Sequence, residues 1–217
     1  MSPQTRSRDF IGYGSAPPKS IWPGSKRVAI KFAINYEEGT ERSPLAGDKE
    51  RDSRTWVRSA LPLSKRGLMQ EAEYEYGTRV SIWRLLRIFR EDNVPYSVFI
   101  SSEVLVVNPA FVEALRTGDC DMVSHETRSI SRIDLTEEKQ RAGPRRAVEE
   151  TLELTGKRIL GAFPRSPITN GSRRVMAEEG LLYDSATTND DGPYFADVSR
   201  RPILVVPYAV DTNDARC

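Results

Sequence analysis

Histidine is nearly missing from this sequence: there is one, His125, closing the apolar run Cys120-Asp121-Met122-Val123-Ser124-His125. A hydrolytic zinc site takes three good protein ligands, usually with two or more imidazoles or thiolates among them. One histidine and two distant cysteines, Cys120 and Cys217, do not supply that set, so neither a metal nor any other cofactor is expected. The cysteines fall in different elements and outline no disulfide framework, which suits a reducing compartment. An excess of one charge is also lacking. The 32 Lys and Arg against 31 Asp and Glu give a net charge of +1, with no basic surplus to follow a phosphate backbone, so no nucleic-acid partner is expected. Apolar runs such as Ile203 to Val206 are too short to cross a bilayer, and Met1-Ser2-Pro3-Gln4-Thr5-Arg6 lacks the apolar core of a signal peptide. The expectation is a cytoplasmic chain with no membrane partner.

What is present is an alternation of apolar strands and helical patterns, in a length of 217 residues that fits one α/β domain. Residues 1–26, with Pro17-Pro18 and Pro23-Gly24, read as an extended arm, and 27–217 as the main domain. The first strand is expected over Arg27 to Asn35, whose near-continuous apolar middle suits a buried parallel strand. Residues 39–76 form a long polar excursion without regular pattern. Ser81 to Arg90 then sets Ile82, Leu85, Leu86 and Phe89 at helical spacing, and Pro95 to Ile100 reads as the second strand. Asn108-Pro109 opens a helix through Leu115, and Cys120 to Ser124 is the third strand. A helix pattern from Thr136 to Gly156 contains Gly143-Pro144, where a kink or break is expected. Ile159 to Phe163, Leu181 to Ser185 and Ile203 to Tyr208 complete the strands, with a helix from Ser172 to Glu179. Repeated β-α units favour a parallel sheet or (β/α) barrel.

Such folds place their chemistry at the C-terminal ends of strands. Those ends read Asn35-Tyr36-Glu37-Glu38, Ser101-Ser102-Glu103, His125-Glu126-Thr127-Arg128, Pro164-Arg165-Ser166, Asp184-Ser185 and Asp211-Thr212-Asn213-Asp214. A carboxylate paired with one imidazole can run acid/base hydrolysis, one group activating water while the other protonates the leaving nitrogen. Taken singly, each acid is a cap or a solvated loop residue. Taken together with His125, the set points to a site.

Several segments carry a resemblance: Arg8-Asp9-Phe10-Ile11-Gly12-Tyr13-Gly14, Trp22-Pro23-Gly24, Asn35-Tyr36-Glu37-Glu38-Gly39, Tyr74-Glu75-Tyr76-Gly77-Thr78-Arg79 with Trp83-Arg84, Glu178-Glu179-Gly180, Leu182-Tyr183-Asp184-Ser185, and Val206-Pro207-Tyr208 through Asp214. In this order and spacing they resemble the allantoinase branch of the polysaccharide-deacetylase-like (NodB-type) family. That branch is tied to urate catabolism, and its fungal members are often labelled chitin deacetylases. The resemblance implies a distorted (β/α) barrel and hydrolysis of a non-peptide C–N bond in a small-molecule amide or an N-acetylated sugar. Metal-dependent relatives end their first strand in two aspartates and carry His-x-x-x-His after the third. Here those positions hold Glu37-Glu38 and, four after His125, Ser129. The allantoinase branch likewise lacks the second histidine and is regarded as working without metal.

The chain departs from the branch at Glu126-Thr127-Arg128-Ser129, where Gly, an aromatic, Arg and Trp are usual, and at Phe163-Pro164-Arg165-Ser166, where a Thr-Gly-Arg element is usual. Members also continue past the position of Asp214, so a barrel cut short at its C-terminus, prone to homo-oligomerise, is expected. The candidate catalytic residues are His125 and Glu38 as acid/base partners, with Glu37 positioning them. Arg128, Arg165, Asn35 and Asp211 are the candidates for binding substrate. The competing readings are a catalytically impaired, truncated pseudoenzyme and a carbohydrate-binding module.

Overall fold

The computed structural model describes residues 9, 11–19, 21–53, 55–57, 59–125, 137–164, 168–198 and 201–214. The chain divides into two units, Met1–Ile30 and Lys31–Cys217. In the first, the Asp9 carboxylate accepts from the amides of Ile11 and Gly12, and a 3-10 turn at Pro23–Ser25 sits inside an antiparallel bridge between Trp22 and Lys26.

The second unit is one sheet with helical crossovers. Its strands are β1 (Ala33–Tyr36), β2 (Tyr96–Ile100), β3 (Cys120–Ser124), β4 (Gly161–Ala162), β5 (Tyr183–Asp184), β6 (Tyr194–Asp197) and β7 (Pro202–Val205), in the spatial order β1-β2-β3-β4-β5-β7-β6. All neighbours pair parallel except β6, which turns back antiparallel on β7. Among the described residues β1 and β6 remain edges, so the sheet curves like a barrel without hydrogen-bonded closure.

Alternation along the strands sorts side chains onto two faces. Ile34 and Tyr36 of β1, Val98 and Ile100 of β2, Met122 of β3 and Ile203 of β7 join the buried core. Ile82, Leu105, Phe111, Leu115 and Met176 of the crossover helices meet them there. The opposite, lumen-side positions are Asn35, Phe99, Asp121, Val123, Gly161 and Tyr183. Tyr183 Oη donates to Asp121 Oδ2 at 2.6 Å. A Cβ at Gly161 would meet the Tyr183 ring at 2.1 Å, so only glycine lets that ring lie across β4.

The helices are α1 (Leu68–Tyr76), α2 (Ile82–Glu91), α3 (Ser102–Val107), α4 (Pro109–Thr117), α5 (Glu137–Thr155) and α6 (Asn170–Glu178). The Asn108 carboxamide caps α4 by accepting from the Phe111 amide at 3.1 Å, and Thr169 and Ser172 form a capping box on α6. None of the described helices is long and apolar enough to cross a membrane.

Four differences from the sequence expectation have physical causes. The first strand begins at Ala33 rather than Arg27, because β2 starts only at Tyr96, after a turn with Asn93 at φ 51°, and a ladder needs a partner. The excursion over 39–76 contains α1, stapled by polar contacts: Gln70 Nε2 donates to the Asp52 carbonyl, and Glu73 accepts from the amides of Trp56 and Val57. A five-residue π segment, Gly77–Ser81, carries α1 directly into α2. Where a kink or break was expected at Gly143-Pro144, α5 continues unbroken through Pro144, held by Ala147 buried and Val148 packed on the core. Two elements, α3 and β6, also form where only connections were expected.

Candidate active site

The parallel ladder runs one residue past β3 and β4, and this extension builds the centre of the site. The His125 amide donates to the Ile100 carbonyl, and the Phe163 amide to the Ser124 carbonyl, each at 2.8 Å. His125 and Phe163 therefore lie side by side, their rings stacked at 5.3 Å and 6°. Phe99 and Tyr208 complete an aromatic layer around them, with Phe163 and Tyr208 stacked at 4.7 Å.

His125 is 2 % exposed and both its ring nitrogens are engaged. Nδ1 faces the Phe163 carbonyl, which can only accept, so Nδ1 carries hydrogen. Nε2 lies 2.6 Å from Glu37 Oε1. A neutral imidazole that donates from Nδ1 is an acceptor at Nε2, and a carboxylate is also an acceptor. The 2.6 Å contact therefore holds one proton between imidazole and carboxyl. Glu37 keeps 25 % of its side chain exposed, so the pair is reachable from outside.

Glu38 follows in sequence but occupies a different environment. Its Oε2 accepts from the Glu37 amide at 2.9 Å. Burial raises its carboxyl to about 7 against the lowering effect of the Glu38 and Glu37 amides, and the nearby carboxylates of Glu37 and Glu41 add to the rise. The side chain packs on Gly77, the first residue of the π segment, where a Cβ would stand 2.0 Å from Glu38 Oε1. Tyr36, buried beneath, accepts from Asn108 Nδ2 at 3.1 Å and donates to Thr78 Oγ1, which ties β1 to the α4 cap and to the π segment.

Glu38 stands in the wall of a cavity of about 460 Å³ running along β1, with Lys31, Asn35, Tyr208 and Asp214 also in its lining. It shares with Tyr36 the wall of a second cavity, of about 410 Å³, toward Tyr74 and Arg79.

Of the residues singled out from the sequence, His125 and Glu37 are brought together, whereas Glu38, expected as the partner of His125, turns to Gly77 instead. Asn35 is exposed on β1 and faces the larger cavity. Asp211 is exposed and does not line it; its neighbours Thr212, Asn213 and Asp214 do. Arg128 and Arg165 lie outside the described residues. The sequence reading missed the Phe163 carbonyl, Gly77 as the seat of Glu38, and Lys31. The last carried a signal, being a charge inside an apolar strand pattern.

No family model matches the chain. A curated Schizosaccharomyces pombe protein, provisionally named a polysaccharide deacetylase, is 28% identical over 233 residues, which cover 97% of this chain and 72% of that protein. The crystal structure described as Puue allantoinase matches with a TM-score of 0.85 at 38% identity, over 97% of this chain and 71% of that one. That of the probable polysaccharide deacetylase from Pseudomonas aeruginosa PAO1 matches with a TM-score of 0.85 at 39% identity, over 97% and 72%. The chain belongs to the polysaccharide deacetylase family.

Its sheet is accordingly the distorted (β/α) barrel of the NodB deacetylase type, open at β1 and β6. The metal used by some members of the polysaccharide deacetylase family finds no matching donor set among the described residues. Both nitrogens of the sole histidine are committed to oxygen partners, and among the described residues no three His, Cys, Asp or Glu side chains converge.

Proposed function

We propose that this chain is a hydrolase of non-peptide C–N bonds that opens a small cyclic amide of the allantoin type. The observation that carries the proposal is the pair of adjacent carboxyls in unlike environments, one sharing a proton with His125 and the other raised to about 7. Two carboxyls in such unlike environments can divide the roles of base and acid. Likeness to a solved allantoinase supports the cyclic amide as substrate.

The Glu37 carboxylate, held by the His125 imidazolium, takes a proton from water as the water oxygen bonds the amide carbon. The protonated Glu38 carboxyl gives its proton to the leaving nitrogen as the C–N bond breaks. A second transfer, from Glu37 to Glu38 through solvent, restores the starting state. The partner is a small molecule, and no step uses a metal.

The test is hydrolysis of allantoin and of N-acetylated glucosamine oligomers by the purified protein, before and after chelation. Allantoin turnover that survives chelation is expected. His125→Ala and Glu37→Gln should each lower it about 10²–10⁴-fold without loss of fold. Deacetylation of the oligomers alone would transfer the site to N-acetyl sugars. A stoichiometric tightly bound transition metal, or undiminished turnover in His125→Ala, would overturn the mechanism.

A further inference from the structure

Lys31 opens the second unit, two residues ahead of β1, and its side chain runs onto the lumen-side face. Its Nζ lies 4.6 Å from the centroid of the Phe99 ring and donates to Ser185 Oγ at 3.3 Å. Phe99 and Ser185 are fully buried. The Ser185 hydroxyl spends its own hydrogen on the Val206 carbonyl at 2.9 Å, so toward Lys31 it is an acceptor only. Among the described residues no carboxylate lies within ion-pair distance of Nζ. The acid that acts on it electrostatically is Asp121, whose Oδ2 already accepts from Tyr183.

An ammonium carries three donors. One hydroxyl and one ring face leave it with donor capacity unused and with no full counter-charge. The surrounding protein strips enough water to push the Lys31 ammonium below the ordinary lysine range, and Asp121 restores only part of that. A cation held this way is stabilised by an anion that reaches it. The residue is accessible, and the cavity of about 460 Å³ that it lines gives an anion room to do so.

We infer that Lys31 is the binding point for a small monoanionic carboxylate in this cavity, with the Asn35 carboxamide and the Tyr208 hydroxyl as neighbouring polar groups. The Asp214 carboxylate in the same wall repels a dianion more than a monoanion, which disfavours phosphate. A carboxylate is also what hydrolysis of an amide releases, so the inference rests on the hydrolase reading for the origin of its ligand. It does not rest on it for the binding. Lys31 thereby becomes a determinant of product retention, and of preference for substrates that bear an acid.

The probe is sodium acetate, titrated calorimetrically at constant ionic strength into the wild type, Lys31→Gln and Lys31→Arg, with phosphate as comparison. Saturable acetate binding is expected. It should weaken at least about tenfold in Lys31→Gln, the cost of losing a charge-assisted hydrogen bond, and survive in Lys31→Arg. Phosphate should bind more weakly than acetate. If Lys31→Gln does not fold, the lysine Nζ resonances of the labelled wild type decide: one should shift with acetate. No saturable binding, equal affinity in Lys31→Gln, or no shifted Nζ resonance would overturn the inference and leave Lys31 a lumen-filling residue. Acetate binding through Lys31 by a protein that hydrolyses neither candidate substrate would retain this inference and remove the hydrolase reading.

Discussion

Glu37 and Glu38 are chemically alike and adjacent, and they differ only in their surroundings. Glu37 meets an imidazole, while Glu38 meets a glycine and the interior. Gly77→Ala tests the second environment. The added methyl would collide with the flexible end of Glu38 rather than with backbone, and alanine favours a helix by up to about 1 kcal/mol over glycine. The variant should therefore melt at or above the wild-type temperature while losing most of its hydrolytic rate. Retained rate would show that Glu38 need not sit on Gly77. Glu38 also predicts a pH dependence. Its folded value of about 7 lies above the ordinary 4.5, so the native state binds this proton more tightly than the unfolded chain. The stability this confers is complete below the ordinary value and is lost as pH rises through the folded one. Glu38→Gln cannot ionise and avoids that loss, so its melting temperature should gain on the wild type between about pH 5 and about pH 8.5. A difference unchanged across that range would contradict the raised value.

At the scale of elements, α5 and the joint between α1 and α2 show how packing overrides local preference. Pro144 removes an amide donor inside α5 and crowds the preceding turn, yet the helix persists, with Ala147 fully buried and Val148 packed against the core. Pro144→Ala restores the missing bond and should raise unfolding free energy by about 1–3 kcal/mol in urea. A decrease would mean that the proline geometry is itself needed. The π segment Gly77–Ser81 is the other case. It adds a residue to the turn that presents Gly77 to Glu38 and Thr78 to Tyr36, so an irregularity in a helix meets the last residue of β1 and the glutamate just past it.

At the scale of the whole sheet, the first strand has no partner on its outer side among the described residues. An unpaired edge beside apolar side chains such as Phe32 and Leu85 invites pairing with another chain. We expect concentration-dependent association in sedimentation velocity. A monodisperse monomer over the accessible concentration range would show that the edge is protected by other means.

By itself the sequence determined the order of the main strands and helices and the parallel sheet, and it singled out Glu37, Glu38 and His125 as candidates. Each of these is written in local periodicity, or in the scarcity of one residue type. Cys120–Ser124 is legible because an apolar strand pattern needs no knowledge of its neighbours. Which glutamate meets His125 was not legible, since adjacent residues differ only in the direction they take once β1 is registered against β2 and β2 against β3. The role of Lys31 was not legible for the same reason: Phe99 and Ser185 stand 68 and 154 positions away, and only the folded sheet brings them to its ammonium. The tertiary structure thus decided the protonation partners and the cavity, because both depend on contacts between strands that the chain visits far apart.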